Sequence, residues 1–518
     1  MIDRITRRKF LKGASATLLP IALSGFQLRA FGRTPLLDAI GRQFQSTGRS
    51  LVIIQLGGGN DGLNMLVPYG MSQYYNSRPT IAIPSNDVLQ IGSTAMGLNP
   101  SLAPLLNLYN NAKVSIVQGV GYANPNRSHF RSTDIWLTGT SSDVVESTGW
   151  LGRDLNYNHP DYPDVLTPSP LALQVGGSPS LSLMSVKGDM GVTITDPDQF
   201  YQLITGTVGF VDDPPPKTPA GKELRYLRTI AQEAIQYATV IKAAADLSTN
   251  QATYPDTSLA AQLAIVARLI AGGLKCPIYM VSQGGYDTHS SQNSRQAALY
   301  SDLSGSIAAF QLDVELLGVG DNVIGMTFSE FGRRIAENGS SGTDHGTSSP
   351  QILFGTKVLG GLHGPNPDFN NVDSVGDFIH NIDFRQLYAT ILGSWFGAST
   401  EELEAVLFGQ FTQLPIIQSS RNAALRRDFL PTRYALNQNY PNPFNPSTTL
   451  SYDVPEDSFI SLVVYNEAGQ KIREVFRGVR QQGRYSQSFE GNDLASGVYF
   501  LRMEAGKFVD TRKMVLVR

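Results

Sequence analysis

Apolar positions follow two different rhythms along the chain. Up to about residue 414, short unbroken apolar runs alternate with longer stretches of helical period. The runs are Leu51–Leu56, Lys113–Gln118, Leu171–Val175, Leu181–Val186, Pro277–Val281 and Asn322–Phe328. Runs of this length, rich in Val and Ile, suit strands buried on both faces. The helical stretches are Ser101–Tyr109, a stripe through Phe130, Ile135 and Trp136 opened by Ser128, a start at Gly149–Arg153, then Ala220–Leu247, Leu259–Ile270 and Ala297–Leu317. Strand–helix alternation predicts an α/β fold with a doubly wound, mostly parallel sheet. From Tyr434 the rhythm changes. Thr449–Val454, Ile460–Tyr465, Lys471–Phe476, Tyr485–Phe489, Gly497–Glu504 and Phe508–Val517 alternate apolar and polar residues between turns. They predict a small C-terminal antiparallel β-sandwich. The expected organisation is therefore 1–30 leader, 48–414 α/β domain, 415–436 linker and 437–518 sandwich.

The leader carries Thr6-Arg7-Arg8-Lys9-Phe10-Leu11-Lys12, followed by a modest apolar stretch broken at Pro20. It is too short for a transmembrane helix and has the basic start of an export signal. The pattern resembles the twin-arginine signal. That resemblance implies passage through the Tat translocase, which carries folded and often metal-loaded proteins.

Several strands end in the same way, in glycines followed by acidic or imidazole side chains. Leu51–Leu56 runs into Gly57-Gly58-Gly59-Asn60-Asp61; Pro277–Val281 leads to Gly284-Gly285-Tyr286-Asp287-Thr288-His289; Asn322–Phe328 leads to a Gly/Ser-rich loop with Asp344-His345, and His363 lies further on. In a parallel sheet such loops share one edge, where open α/β folds place their sites. An Asp-x-His pair in extended chain turns both side chains to one side. Carboxylates with imidazoles suit a divalent cation. The bland alternatives are turn residues and solvated loop histidines; repetition of the pattern favours a site. Ser128, at a helix N-terminus, caps a helix or presents a hydroxyl where backbone N–H groups favour an anion. Arg127 and Arg131 are placed to clamp oxyanions. The Gly57–Gly59 loop lacks the spacing of a dinucleotide site.

Asp61, Ser128-His129-Phe130, Gly285–His289, Glu330-Phe331-Gly332-Arg333 and Asp344-His345-Gly346 together resemble the bacterial domain of unknown function 1501, related to the alkaline phosphatase and sulfatase superfamily. The resemblance implies an alkaline phosphatase-like sheet and a two-metal hydrolase of phosphate or sulfate esters. Carried over by position, Asp61, Asp344 and His345 hold one ion with the Ser128 oxygen, and Asp287, His289 and His363 hold the other. Ser128 is the implied nucleophile and Arg127 the oxyanion-binding residue; Thr133 is the alternative hydroxyl. The ions are divalent: Zn, Mn, Mg or Ca. One residue separates Asp287 from His289, where the superfamily has three. A non-catalytic exported protein that keeps the fold, with a decayed or structural metal site, is the alternative reading.

Asn439-Tyr440-Pro441-Asn442-Pro443-Phe444-Asn445-Pro446, Ser496-Gly497-Val498-Tyr499 and Lys513-Met514-Val515-Leu516-Val517 resemble the type A C-terminal sorting domain of the type IX secretion system. This implies the secretion machinery as a partner and a route through the periplasm to the cell surface or medium. Composition fits: 518 residues, 41% hydrophobic, 16% charged and a net charge of -3 offer no basic footprint for nucleic acid. The one cysteine, Cys276, excludes an intrachain disulfide and sits in an apolar run as a buried thiol.

Overall fold

The computed structural model describes residues 18–23, 26–31, 48–92, 95–163, 165–207, 218, 234–418, 433–439, 441–480 and 483–517. The twin-arginine stretch, the first half of the helix expected over 220–247 and most of the linker lie outside them. The chain divides into two compact units, Met1–Gly48 and Arg49–Arg518. In the first, Leu18–Leu23 and Phe26–Phe31 pair as an antiparallel ribbon.

The second unit is built on a nine-stranded sheet. Its strands in chain order are β1 (Ser50–Gly57), β2 (Val114–Gly121), β3 (Ala172–Val175), β4 (Val192–Ile194), β5 (Ile278–Gly284), β6 (Val323–Ser329), β7 (Ser349–Phe354), β8 (Gly361–His363) and β9 (Ile382–Asp383). Across the sheet they run β4-β3-β5-β1-β6-β7-β2-β8, with β9 also on β2. Only β7 runs against its neighbours, so β5, β1, β6 and β2 all point the same way. This is the mostly parallel sheet the apolar runs predict. β1, the run Leu51-Val52-Ile53-Ile54, is fully buried at its centre, as a strand flanked by two others and covered on both faces requires.

Helices cover the two faces. Register places Phe328 and Leu353 on one face and Phe354 on the other. Trp136, from α1 (His129–Thr138), stacks on Phe328 at 5.9 Å between ring centroids. Phe310, from α2 (Gln292–Leu316), packs edge-on against Phe354 at 6.3 Å. The sheet is therefore wound on both sides. Cys276 is buried as expected, and burial pushes its thiol up to about 12. Leu181–Val186 is a correction: it forms a 3-10 turn over Leu181–Leu183 and a two-residue strand, Met184–Ser185. Ser180 caps that turn through its side chain, a local hydrogen bond that competes with extended structure.

Residues 435–516 form a second core. A three-stranded sheet (Ala435–Leu436, Ser447–Val454, Gly483–Glu490) and a four-stranded sheet (Lys471–Arg480, Ser458–Asn466, Gly497–Ala505, Phe508–Leu516) are antiparallel throughout. Leu450, Tyr452 and Val454 from one and Ile460, Leu462, Val464, Leu501 and Met503 from the other are buried in one cluster. This is the predicted sandwich. Among the described residues no helix is long and apolar enough to cross a membrane.

Candidate metal centre

The loops leaving β5, β1, β6 and β2 meet at one edge of the sheet. Close backbone packing brings them there. Gly58 has φ +120°, and a Cβ on it would lie 2.3 Å from the Asp287 nitrogen, so only glycine allows the β1 and β5 loops to touch. Arg333, buried after β6, ties the loops together. Its Nε donates to Gly59 O at 2.8 Å, its Nη1 to Thr343 O at 2.9 Å, and its Nη2 to Gly58 O, to Tyr286 O at 3.0 Å and to Asp287 Oδ1 at 2.6 Å.

Asp287 Oδ1 is the hub of the site. Nε2 of His289 lies 3.1 Å from it, Nε2 of His345 3.3 Å and Nε2 of His129 3.6 Å. The three rings face it with the same edge because each Nδ1 is held by an acceptor. His345 Nδ1 donates to Arg127 O at 2.7 Å, His289 Nδ1 to Asp344 Oδ1 at 3.1 Å, and His129 Nδ1 to Glu330 Oε1 at 3.0 Å. A carbonyl or carboxylate oxygen only accepts, so each Nδ1 carries the proton. A ring held in this way, when neutral, has its lone pair at Nε2. His289 Nε2 and His345 Nε2 are 2.9 Å apart, and two lone pairs at that distance repel unless a cation lies between them.

Such a donor set suits a divalent cation. Ligating histidines characteristically donate their other N–H to a carboxylate or backbone carbonyl. Two ligands about 2 Å from one tetrahedral ion stand roughly 3.3 Å apart, which matches the spacing around Asp287. Donor atoms of His129, Asp287 and His345 all lie within 4.8 Å of one another. Phe331 supports the rings, its centroid 4.6 Å from that of His345 and 5.0 Å from that of His129. Burial pushes the Asp287 carboxyl up, but the hydrogen bond and charge of Arg333 outweigh it, so it lies below the usual carboxylate value. Burial is also the main cause holding the His345 imidazole below its ordinary value, which keeps its lone pair available. An open cavity of about 350 Å³, lined by Arg127, His289, Arg334, Asp344, His345 and Val375, adjoins the cluster.

Four residues named from the sequence thus come together: Asp287, His289, Asp344 and His345, with Asp344 reaching His289 through Nδ1. Asp61 does not join them. It is buried, caps the short helix Gly62–Met65, and forms a bidentate pair with Arg78 at 2.5 and 3.0 Å. Gln292 Nε2 donates to its Oδ2 at 2.5 Å, and the other end of that amide accepts from Thr288 Oγ1 at 3.2 Å and Thr343 Oγ1 at 2.5 Å. Asp61 therefore lies beneath the two loops that carry the cluster. His363 does not join them either. It bonds Leu359 O at 3.3 Å on β8, three strand spacings from β6, or about 14 Å. The two-ion arrangement expected from the sequence is thus not the one assembled. Ser128 stands at the N-cap of α1, exposed and without a cap bond from its side chain, between Arg127 and His129. Arg127 is held by Asp377 at 2.5 and 3.0 Å and by Asp373 at 2.8 Å. His129, Glu330 and Arg333 received no role from the sequence. The signal was there: Gly119 and Gly121 fall at the end of β2 and lead to His129 as glycines lead to Asp287.

Residues 219–407 match the family described as "Protein of unknown function (DUF1501)", and residues 438–517 match the "Secretion system C-terminal sorting domain". Both family resemblances drawn from the sequence stand, and the tail marks the protein for secretion to the cell surface or beyond. No curated protein matches the chain. Similar solved structures include a protein in the alkaline phosphatase superfamily from Vibrio parahaemolyticus (11% identity, 89% of this chain and 82% of that one, TM-score 0.33). A sulfatase from Pseudoalteromonas sp. is similar at 11% identity (90% and 89% covered, TM-score 0.32), and a phosphonate monoester hydrolase from Silicibacter pomeroyi at 9% (90% and 88%, TM-score 0.33). At these scores the likeness carries no argument about chemistry.

Proposed function

We propose that residues 48–414 form an exported metal-dependent hydrolase of phosphate or sulfate esters, and that 437–518 serve as its sorting domain. One observation carries the reading: three imidazoles, each with Nδ1 against a hydrogen-bond acceptor, bring Nε2 to within 3.1–3.6 Å of one carboxylate oxygen. His129, His289 and His345 through Nε2, with Asp287, would hold a single divalent ion. An imidazole-rich set favours zinc over manganese, calcium or magnesium. The ion supplies Lewis-acid charge beside oxygens that gain charge during ester cleavage. The chain's own residues do the rest. Glu330, Asp344 and the Arg127 carbonyl orient the rings, and Arg333 keeps Asp287 ionised. Ser128, on the cluster's border with its hydroxyl uncommitted to capping, takes the nucleophile's part: Oγ gives its proton to solvent as it bonds phosphorus or sulfur, and the ester oxygen leaves and takes a proton from solvent. Water then displaces the group from Oγ as free phosphate or sulfate, and the hydroxyl regains its proton. Export starts at a twin-arginine leader through the Tat translocase, passes the periplasm, and ends with the type IX machinery.

The test pairs metal analysis of the purified protein with hydrolysis of aryl phosphate and aryl sulfate. One bound ion and turnover of one ester, both lost in His345→Ala, are expected. A tightly bound ion with no turnover of either ester would instead support the non-catalytic alternative, in which the cluster is structural.

A further inference from the structure

Two arginines line the cavity beside the cluster, and both are held by the same buried carboxylate. Asp377 Oδ2 takes Nε and Nη2 of Arg127 at 3.0 and 2.5 Å, and Asp377 Oδ1 takes Nε of Arg334 at 3.3 Å. Asp373 Oδ2 accepts from Arg127 Nη2 at 2.8 Å, and Val375 O from Arg334 Nη2 at 2.8 Å. These anchors sit on a tight hairpin. Val372 bridges Phe378, Asp373 N donates to Asp377 O at 2.8 Å, and Gly376 N donates to Asp373 O at 3.0 Å. Each guanidinium spends its Nε and Nη2 edge on the hairpin, and Nη1 of each makes no hydrogen bond among the described residues. The side chains stay about one-third exposed, at 33% and 37%.

The arginines also reach the cluster through their backbones: the Arg127 carbonyl takes His345 Nδ1 at 2.7 Å, and Arg334 N donates to Asp344 O at 3.0 Å. Asp373 and Asp377 together balance the two guanidinium charges. What is left for a ligand is the free Nη1 edge of each arginine, on residues that line a cavity beside three metal-type histidines, and such an edge fits an oxyanion. Side chains pinned in this way have already lost the rotamer freedom that an arginine gives up on binding, and pre-set donors are what a charged tetrahedral group requires.

We infer that Arg334, together with Arg127, binds the unesterified oxygens of the substrate, which makes the substrate a monoester of a tetrahedral oxyanion. The inference rests on the proposed cation site. One oxygen faces the ion and one faces each arginine, three in all. A diester has only two such oxygens and leaves one donor unmatched. Phosphate and sulfate monoesters share this chemistry.

The experiment uses the full chain loaded with zinc and titrates inorganic phosphate, inorganic sulfate, phenyl phosphate and diphenyl phosphate by calorimetry. Zinc content is measured in every sample. Phosphate or sulfate is expected to bind, the tighter one naming the ester class, with phenyl phosphate bound better than diphenyl phosphate. Arg334→Gln should weaken anion binding tenfold or more at unchanged zinc content, and Arg334→Lys should restore part of it. Anion affinity unchanged in Arg334→Gln at full zinc overturns the role of Arg334 and leaves the cation site standing. Equal or tighter binding of the diester overturns the substrate class. A wild-type protein that takes up no zinc overturns the cation site, and this inference with it.

Discussion

Replacing Asp61 by alanine separates a ligand from a foundation. In the structure its two oxygens meet Arg78, Gln292 and the Leu63 N–H. Arg78 is itself fully buried, and its remaining donors go to Asn64 Oδ1 and to the carbonyls of Ile335 and Arg334, each at 2.8 Å. All five guanidinium donors are thereby satisfied. Removing the carboxylate leaves a buried cation without its counter-charge, a loss of about 3–5 kcal/mol. It also frees Gln292 from beneath Thr288 and Thr343. His289, by contrast, is 43% exposed in its side chain, and its removal deletes a metal ligand without stranding a buried charge. Urea unfolding of the metal-free protein tests the contrast. Asp61→Ala should lower stability by about 3–5 kcal/mol, and His289→Ala by about 1 kcal/mol or less, while only the second should lose metal under conditions where both are folded. If Asp61→Ala unfolds like wild type yet binds no metal, Asp61 is a ligand and the geometry argued here is refuted.

Other outcomes follow from the same contacts. Glu330→Gln swaps the acceptor of His129 Nδ1–H for an amide and should weaken metal binding about 10–100-fold with the fold intact, read by competition against a chelating dye. Gly58→Ala places a methyl against the Asp287 backbone at a φ that favours glycine; about 2 kcal/mol or more of stability should be lost, read by thermal unfolding. Asp154 is buried, and burial, then the nearby Glu402 carboxylate, holds its carboxyl well above the usual range. A raised acid binds its proton more tightly in the folded state, so its contribution is full below the unfolded value near 4 and is lost as pH rises through the folded one. Asp154→Asn should therefore unfold at higher temperature than wild type at pH 8, and the advantage should vanish toward pH 4.

The sheet was legible because its strands are buried on both faces and written as unbroken apolar runs; β1, β5 and β6 fall within two or three residues of the runs that predict them. The sandwich was equally legible from alternation. Leu181–Val186 was not, because Ser180 offers a side-chain acceptor that closes a turn. At the site, the repeated strand-to-glycine motif pointed to Asp287, His289, Asp344 and His345. What it could not give was which carboxylate a distant arginine takes: Arg78 lies outside every motif, yet it decides the fate of Asp61. His363 follows a glycine pair as His289 does, but strand order alone sets it apart, and order is a long-range property. His129 was hidden behind the capping role of its neighbour Ser128.

A zinc-soaked crystal with the anomalous signal recorded at the metal's absorption edge tests the central claim most directly. The account predicts one ion contacting Nε2 of His129, His289 and His345 and a carboxylate oxygen of Asp287, with Asp61 still paired to Arg78. An ion bound at Asp61 or His363, or no ion at the three imidazoles, would contradict it.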